Sequence, residues 1–148
     1  MSRFAAATLV FATLVACSTE SSAPLEPSAE LTVSGGVSAS AATALVRCEV
    51  RTGRRSKISV DGNNLALGGA YSARVRSGAN AASSPMAAAV GDEAEFDFDS
   101  NPADIAQGAT PIARTFITVR ASGPDVMADI LNASGAVVAS GAADCRVR

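Results

Sequence analysis

The sequence predicts an all-β sandwich of about seven to eight strands with one short helical turn. Short runs of alternating apolar and polar residues begin near residue 30 and continue to the C-terminus. Turn-forming Gly, Asn, Asp and Ser residues separate these runs, and no long helical periodicity interrupts them. The 148 residues suit one domain, because a second ordinary domain would need a longer chain.

The first strands are predicted from alternation that ends at turn residues. A run at 31–33 ends at a glycine pair, and the run at 45–51 places Val46, Cys48 and Val50 on one face. The run at 57–60 leads into Asp61-Gly62, which is a typical turn pair. The run at 70–76 turns Tyr71, Ala73 and Val75 inward and ends at Ser77-Gly78.

The second half of the domain follows the same pattern with one helical interruption. Strands are predicted at 86–90, where the alanines would also suit a helix, and at 93–99. Asn101-Pro102 followed by Asp104 indicates a helix cap, a first-turn proline and a first-turn acid, with Gly108 ending the helix. An apolar run at 112–119 predicts a strand buried on both sides. Runs at 126–130 and 136–147 flank a hairpin turn at 132–135, and this last hairpin resembles those that close immunoglobulin-like domains of exported bacterial proteins.

The composition excludes several classes of function. Alanine accounts for 32 residues, aromatic residues for 4%, and tryptophan is missing, so an aromatic platform for stacking sugars or bases is not expected. Histidine is absent from the sequence, which excludes His-dependent triads, His-ligated zinc and histidine general bases. A net charge of −2 gives no electrostatic basis for binding nucleic acid.

Residues 1–16 have the features of an export signal. Arg3 supplies a positive charge, and residues 4–15 are apolar apart from two threonines. Such a segment is too short to span a bilayer comfortably but fits the apolar region of a signal peptide. The segment ends in a tetrapeptide that resembles the lipobox of bacterial lipoproteins, Leu14-Val15-Ala16-Cys17.

The lipobox resemblance implies that the signal is cut before Cys17 and that this cysteine carries fatty acyl chains such as palmitate. Three cysteines in an exported chain leave one without a partner, and lipidation of Cys17 accounts for it; the alternative is an ordinary secretory signal with Cys17 as a bystander. Ser18, in place of the Asp that often holds such proteins at the inner membrane, points to the outer membrane. Residues 17–29 are rich in Ser, Pro and Glu and predict a flexible tether ahead of a domain at 30–148.

Cys48 and Cys145 are predicted to form a structural disulfide, since an oxidising compartment favours pairing. Both cysteines fall in expected strands and on inward faces, so a bridge from sheet to sheet is expected. Closing so long a loop stabilises a fold by roughly 4–5 kcal/mol in the chain-entropy account. A redox-active pair would need close spacing, and a thiolate metal site would need more ligands.

An acidic cluster surrounds the expected strand at 93–99, and no basic residue lies among its members in sequence. The preferred interpretation is a solvated strand face, while a calcium site and a two-carboxylate hydrolase remain alternatives. The calcium candidates match the start of an EF-hand loop, but Pro102 and Gly108 stand where Gly and Glu are needed. The cluster consists of Asp92, Glu93, Glu95, Asp97, Asp99 and Asp104, and the calcium candidates are Asp97, Asp99, Asn101 and Asp104.

A basic group is the counterpart of the acidic cluster. It could contact an anionic partner, pair with the acidic cluster, or simply form a solvated sheet face, and the last interpretation is preferred. Its members are Arg47, Arg51, Arg54, Arg55, Lys57, Arg74 and Arg76.

We therefore expect a monomeric, membrane-anchored envelope lipoprotein whose β-domain serves binding or structure, without catalysis or a cofactor. The expected partners are the membrane, through lipid on Cys17, and an envelope protein or an anionic glycan; nucleic acid is not expected. One alternative is a calcium-dependent adhesive or carbohydrate-binding module, and another is a carboxylate-based hydrolase. Serine catalysis is not indicated, because no Gly-x-Ser-x-Gly motif occurs.

Overall fold

The computed structural model describes residues 40–51 and 53–148. In this part the chain forms two five-stranded sheets and one short helix, which confirms the predicted all-β sandwich. In chain order the elements are β1 (Thr43–Arg51), β2 (Arg55–Asn63), β3 (Ala70–Ser77), β4 (Asn80–Ser83), β5 (Ala87–Ala88), β6 (Ala94–Asp99), α1 (Pro102–Ile105), β7 (Thr110–Pro111), β8 (Val126–Asn132), β9 (Val137–Ala143) and β10 (Arg146–Val147).

The strand order is that of an immunoglobulin-like sandwich. The first sheet, sheet A, has the order β10-β1-β2-β6-β7, and the second, sheet B, has β4-β3-β8-β9 with β5 beside β3. Among the described strands, seven have four or more residues, while β5, β7 and β10 have two each. Lettered A, B, C, C′, E, F and G, the long strands divide into ABE and C′CFG, which keeps the A, B and E strands apart from C, F and G.

Both sheets contribute bulky side chains to the core. In sheet A, Phe98, Ile58 and Val60 are fully buried. In sheet B, Ile130, Val75 and Val126 are fully buried as well, and alanines lie between them. Because alanine buries little apolar surface, these intervening positions stabilise the fold less than the aliphatic side chains beside them.

Gly62 lies inside β2 and does not form a turn, so the prediction of an Asp61-Gly62 turn is wrong. The strand continues to Asn63, and the chain bends at Asn64, which has a positive φ of 56°. A Cβ atom on Gly62 would lie 2.6 Å from Cδ1 of Ile130 in the opposite sheet. The glycine therefore serves close packing between the sheets, a requirement that a local turn pattern does not reveal.

The prediction of a strand at 112–119, buried on both sides, is also wrong, although two of its apolar residues are buried. Phe116 and Ile117 are 5% and 6% exposed, yet this segment carries the chain from sheet A to sheet B without strand pairing. The hydroxyl of Ser56 accepts a hydrogen bond from the N–H of Ile117, and that of Ser77 accepts one from Thr118. Side chains thus satisfy buried backbone groups that a sheet ladder would otherwise satisfy.

The remaining predictions are mostly confirmed. Asn101 caps α1 through its side chain, with proline at the first position and Asp104 in the first turn. The hairpin between β8 and β9 turns at 132–135, with Gly135 at a φ of 80°. The run at 86–90 shortens to β5, and the run at 136–147 breaks into β9 and β10. The strand predicted at 31–33 lies outside the described residues.

Gly141→Ala tests the close packing of β9 against β1 at this glycine. A Cβ atom there would lie 2.4 Å from the carbonyl oxygen of Ala44 and 2.9 Å from Val46, so the β1 backbone would have to move. We expect a loss of about 1–3 kcal/mol in the free energy of unfolding, measured by urea titration. Ala142→Ser, on the exposed side of the same strand, is the control, and equal stabilities of the two variants would contradict this packing.

Candidate functional site

The disulfide between Cys48 and Cys145 joins the first strand to the end of the domain. The two Cα atoms are 4.7 Å apart, and the cysteines are separated by 97 positions in sequence, which confirms the predicted pairing. Cys145 lies between β9 and β10, and β10 runs parallel to β1 in sheet A. The expectation of a bridge from sheet to sheet is therefore wrong: the bond lies along sheet A, where the chain has just left sheet B.

Asp125 connects the Cys145 side of this bond to the crossover segment. The residue is 5% exposed, and its carboxylate accepts hydrogen bonds from the N–H groups of Cys145 at 2.8 Å and Arg120 at 2.6 Å. Its carbonyl oxygen accepts the hydroxyl of Ser77 at 2.6 Å. No local sequence pattern indicates Asp125, because its partners lie in the crossover segment and beyond a strand.

The outer face of sheet A brings the acidic and basic groups together. Strand β6 pairs with β2, so that Glu95, Asp97 and Asp99 lie opposite Asp61, Ser59 and Lys57 respectively. The hydroxyl of Ser59 donates to Asp97, and Arg47 of β1 forms an ion pair with Asp61. The basic residues missing from the sequence neighbourhood of the acidic cluster thus come from adjacent strands.

The most buried ion pair of the described residues joins Arg55 to Asp99. Arg55 donates from Nε to Oδ1 of Asp99 at 3.0 Å and from Nη2 to Oδ2, an arrangement that uses both carboxylate oxygens. The same Nη2 lies 3.0 Å from Asp104, and the side chain of Asp99 is 1% exposed. The β1–β2 hairpin, β6 and α1 are therefore held together by one guanidinium group.

Ionisation of Asp99 is favoured in spite of its burial. Burial by itself opposes the charged form, but the hydrogen bonds from Arg55 and from the N–H of Asn101, at 2.8 Å, outweigh it. The pKa of Asp99 is therefore lowered below its ordinary value of 3.8. The hydrogen bond to Asp99 likewise raises the pKa of Arg55 against the opposing effect of burial.

The four calcium candidates do not share a common ligand position. Asp97 bonds to Ser59, and Asn101 caps α1 while its amide also donates to Asp104. Asp99 and Asp104 contact Arg55, which supplies the positive charge between them. Within residues 40–51 and 53–148, no group of three His, Cys, Asp or Glu side chains converges in a way that could hold a metal ion.

The acidic cluster is also spread along the strand. Asp92 and Glu93 precede β6, and the backbone of Glu93 pairs with Val90 in a turn. Asp99 lies at the other end of β6, about 20 Å away at the usual rise of a strand. Glu95 and Asp97 lie along β6 between these ends, and they line one open depression together with Asp99, Asp104 and Lys57. The predicted cluster is therefore extended along the strand, and Asp92 and Glu93 lie apart from the other four.

A second charged network lies on the outer face of sheet B. Arg74 and Arg76 of β3 both form ion pairs with Asp129 of β8, at 2.8 and 3.0 Å, and Ser140 donates to the same carboxylate. Burial opposes ionisation of Asp129, but the bonds from Arg74 and Ser140 outweigh it and lower its pKa. The sequence indicated the shared face of the two arginines but not Asp129, whose partner strand is distant in sequence.

Three further members of the predicted basic group lie at the end of the sandwich that contains the β1–β2 turn. Arg51 and Arg55 form the last residue pair of this hairpin, and Arg54 lies in the turn. These arginines line a shallow depression together with Arg114 of the crossover segment. Cys17, the predicted lipidation site, lies outside the described residues.

No protein-family model, curated protein or solved structure matches this sequence. Across the described residues, no helix is long and apolar enough to cross a membrane.

Asp99→Asn tests the buried ion pair through its pH dependence. Because the folded-state pKa of Asp99 lies below 3.8, its carboxylate contributes stability that is complete above that value and is lost as the pH falls through the lowered pKa. We expect the variant to lose about 1.5–3 kcal/mol of unfolding free energy at neutral pH. The difference from the wild type should shrink when urea titrations are repeated at a pH of about 3.

Glu95→Gln is the matched control for Asp99→Asn, because Glu95 is exposed on the same strand and has no ion pair among the described residues. We expect its stability to stay within about 0.5 kcal/mol of the wild type. A pH-independent loss in Asp99→Asn, or an equal loss in the control, would contradict the assigned role of the Arg55 pair.

Proposed function

We propose that the protein is a lipid-anchored envelope lipoprotein whose β-sandwich serves as a non-catalytic binding or structural domain. The observation that carries this proposal is the pairing of Cys48 with Cys145. A disulfide of this kind is typical of an oxidising compartment, as the export signal requires. The pair also leaves Cys17, at the end of the lipobox, as the third cysteine of the sequence.

The lipid would anchor the domain to the membrane, and we propose the outer membrane because serine follows Cys17. One acyl chain gives marginal binding, whereas two or more give a stable anchor. The domain acts as a monomer in this proposal, and its partner is an anionic glycan or another envelope protein. The ion-paired outer faces of both sheets support a binding role, since rigid surfaces lose little entropy when they bind a partner.

The calcium-dependent module and the carboxylate hydrolase receive less support. A calcium site needs several oxygen ligands directed at one point, while Arg55 lies against both Asp99 and Asp104. A hydrolase of this type needs two carboxyl groups that face each other across the substrate. In the described part of the chain, the acidic side chains of sheet A lie side by side on one face.

Cys17→Ala tests the anchor. We expect the wild-type protein to partition into the detergent phase with the outer-membrane fraction, and the variant to lose membrane retention because its acyl chains are missing. Cell fractionation and immunoblotting measure both outcomes. Ser18→Ala, which changes the neighbouring residue and leaves the cysteine, is the control and should remain in the membrane.

Ser18→Asp tests the outer-membrane assignment separately and should shift the protein to the inner-membrane fraction. The anchor proposal fails when Cys17→Ala protein still enters the detergent phase. Wild-type protein recovered in the inner-membrane fraction would refute the outer-membrane assignment alone.

A further inference from the structure

Four arginines converge at the end of the sandwich that contains the β1–β2 turn. They line an open depression of about 260 Å³, which we call the arginine depression. Ser100, Asn101 and Pro102 form the rest of its wall. The lining arginines are Arg51, Arg54, Arg55 and Arg114.

The fold itself places these arginines side by side. Arg51 and Arg55 are paired residues at the end of the β1–β2 hairpin, which leaves Arg54 in the turn between them. Arg114 is brought to the hairpin because its carbonyl oxygen accepts the hydroxyl of Ser56 at 2.8 Å. This hydrogen bond holds Arg114 in place through its backbone and does not involve its guanidinium group.

The charges of the depression are only partly neutralised. Arg51 donates to Glu49 at 3.0 Å, and Arg55 is engaged by Asp99 and Asp104. Among the described residues, Arg54 and Arg114 form no ion pair, and both side chains are exposed. Two of the four arginines that line the depression therefore have guanidinium groups available for a ligand, while carboxylates hold the other two.

This arrangement matches a multiply charged anion better than a single carboxylate. Guanidinium groups present parallel N–H donors that bind two oxygens of a phosphate or carboxylate at once. A phosphate group offers three or more oxygens and more than one negative charge, so it can contact Arg54 and Arg114 together. Converging like charges repel one another, and a bound anion relieves that repulsion.

We propose that the arginine depression binds phosphate groups, and that in the envelope these belong to a phosphorylated glycan. The identity of the glycan rests on the proposed envelope function, whereas the phosphate chemistry rests on the four arginines. The described chain begins at the other end of the sandwich, where the carbonyl oxygen of Ala41 accepts the amide of Asn64. A ligand in the depression therefore leaves the entry of the chain into β1 unobstructed.

The test is a titration of the full chain, purified from membranes in a non-ionic detergent. The probes are inorganic phosphate and phosphomannan, a polymer of sugar units that carries phosphate groups, with sodium chloride of equal ionic strength as the salt control. Nitrogen-15 spectra of the arginine Nε–H groups report each guanidinium separately. We expect saturable shifts of the Arg54 and Arg114 signals with both probes, and tighter binding of the polymer.

The double variant Arg54→Gln/Arg114→Gln should weaken binding at least tenfold, because each lost pair of charged hydrogen bonds costs about one order of magnitude. Arg120→Gln removes the same charge from an exposed position outside the depression and should change the affinity less than twofold. Both positions of the double variant are exposed, and thermal unfolding verifies that the variants remain folded.

Absence of a saturable shift, or an equal loss of affinity in Arg120→Gln, would overturn the phosphate site. Equal affinity for inorganic phosphate and for the polymer would keep the site but overturn the glycan as its ligand. Membrane retention through Cys17 is measured independently, so failure of the anchor and failure of the phosphate site are distinguishable.

Discussion

The disulfide between Cys48 and Cys145 is the constraint on which this domain depends. It closes a loop over 97 positions, and in the chain-entropy account this restricts the unfolded chain by about 4–5 kcal/mol. Net stabilities of small domains are of similar size. Alanines such as Ala73 and Ala128 occupy core positions between the aliphatic side chains of sheet B and bury little apolar surface. The covalent bond therefore adds a stabilisation comparable to the net stability of the fold.

Polar residues in the interior extend this constraint into the rest of the fold. Asp125 binds the backbone of Cys145 on one side and of Arg120 on the other, so the disulfide and the crossover segment share one carboxylate. Ser56 and Ser77 then satisfy the backbone of the same segment as it passes between the sheets. Asp125, Ser56 and Ser77 are buried and hydrogen-bonded, and removal of one would leave a backbone N–H group without this partner. The crossover is consequently ordered without belonging to either sheet.

The sequence predicts the elements that depend on neighbouring residues along the chain. Its predictions are wrong where contacts between residues far apart in sequence determine the structure. Alternation in β3 and β6, the Asn101 cap and the last hairpin follow from local patterns and were predicted correctly. The Asp61-Gly62 pair predicts a turn, because the role of Gly62 depends on its close approach to Ile130 in the opposite sheet, which the local sequence does not reveal. The run at 112–119 is apolar enough for a strand, but the hydroxyls that replace its ladder come from β2 and β3. For the same reason the acidic cluster looked unpaired: Arg55 is 44 positions from Asp99 in sequence.

The proposed binding role and the proposed phosphate site both require a folded sandwich, and the disulfide joins the first strand of that sandwich to its end. The most direct test compares the oxidised domain with Cys48→Ser, Cys145→Ser and the double variant in urea unfolding. All three variants should lose the same free energy of unfolding, about 2–5 kcal/mol, because each removes the same bond. Labelling of the unreduced, denatured protein should find no reactive thiol from either cysteine. Two reactive thiols in the wild type, or variants as stable as the oxidised protein, would show that no bond between Cys48 and Cys145 stabilises the domain.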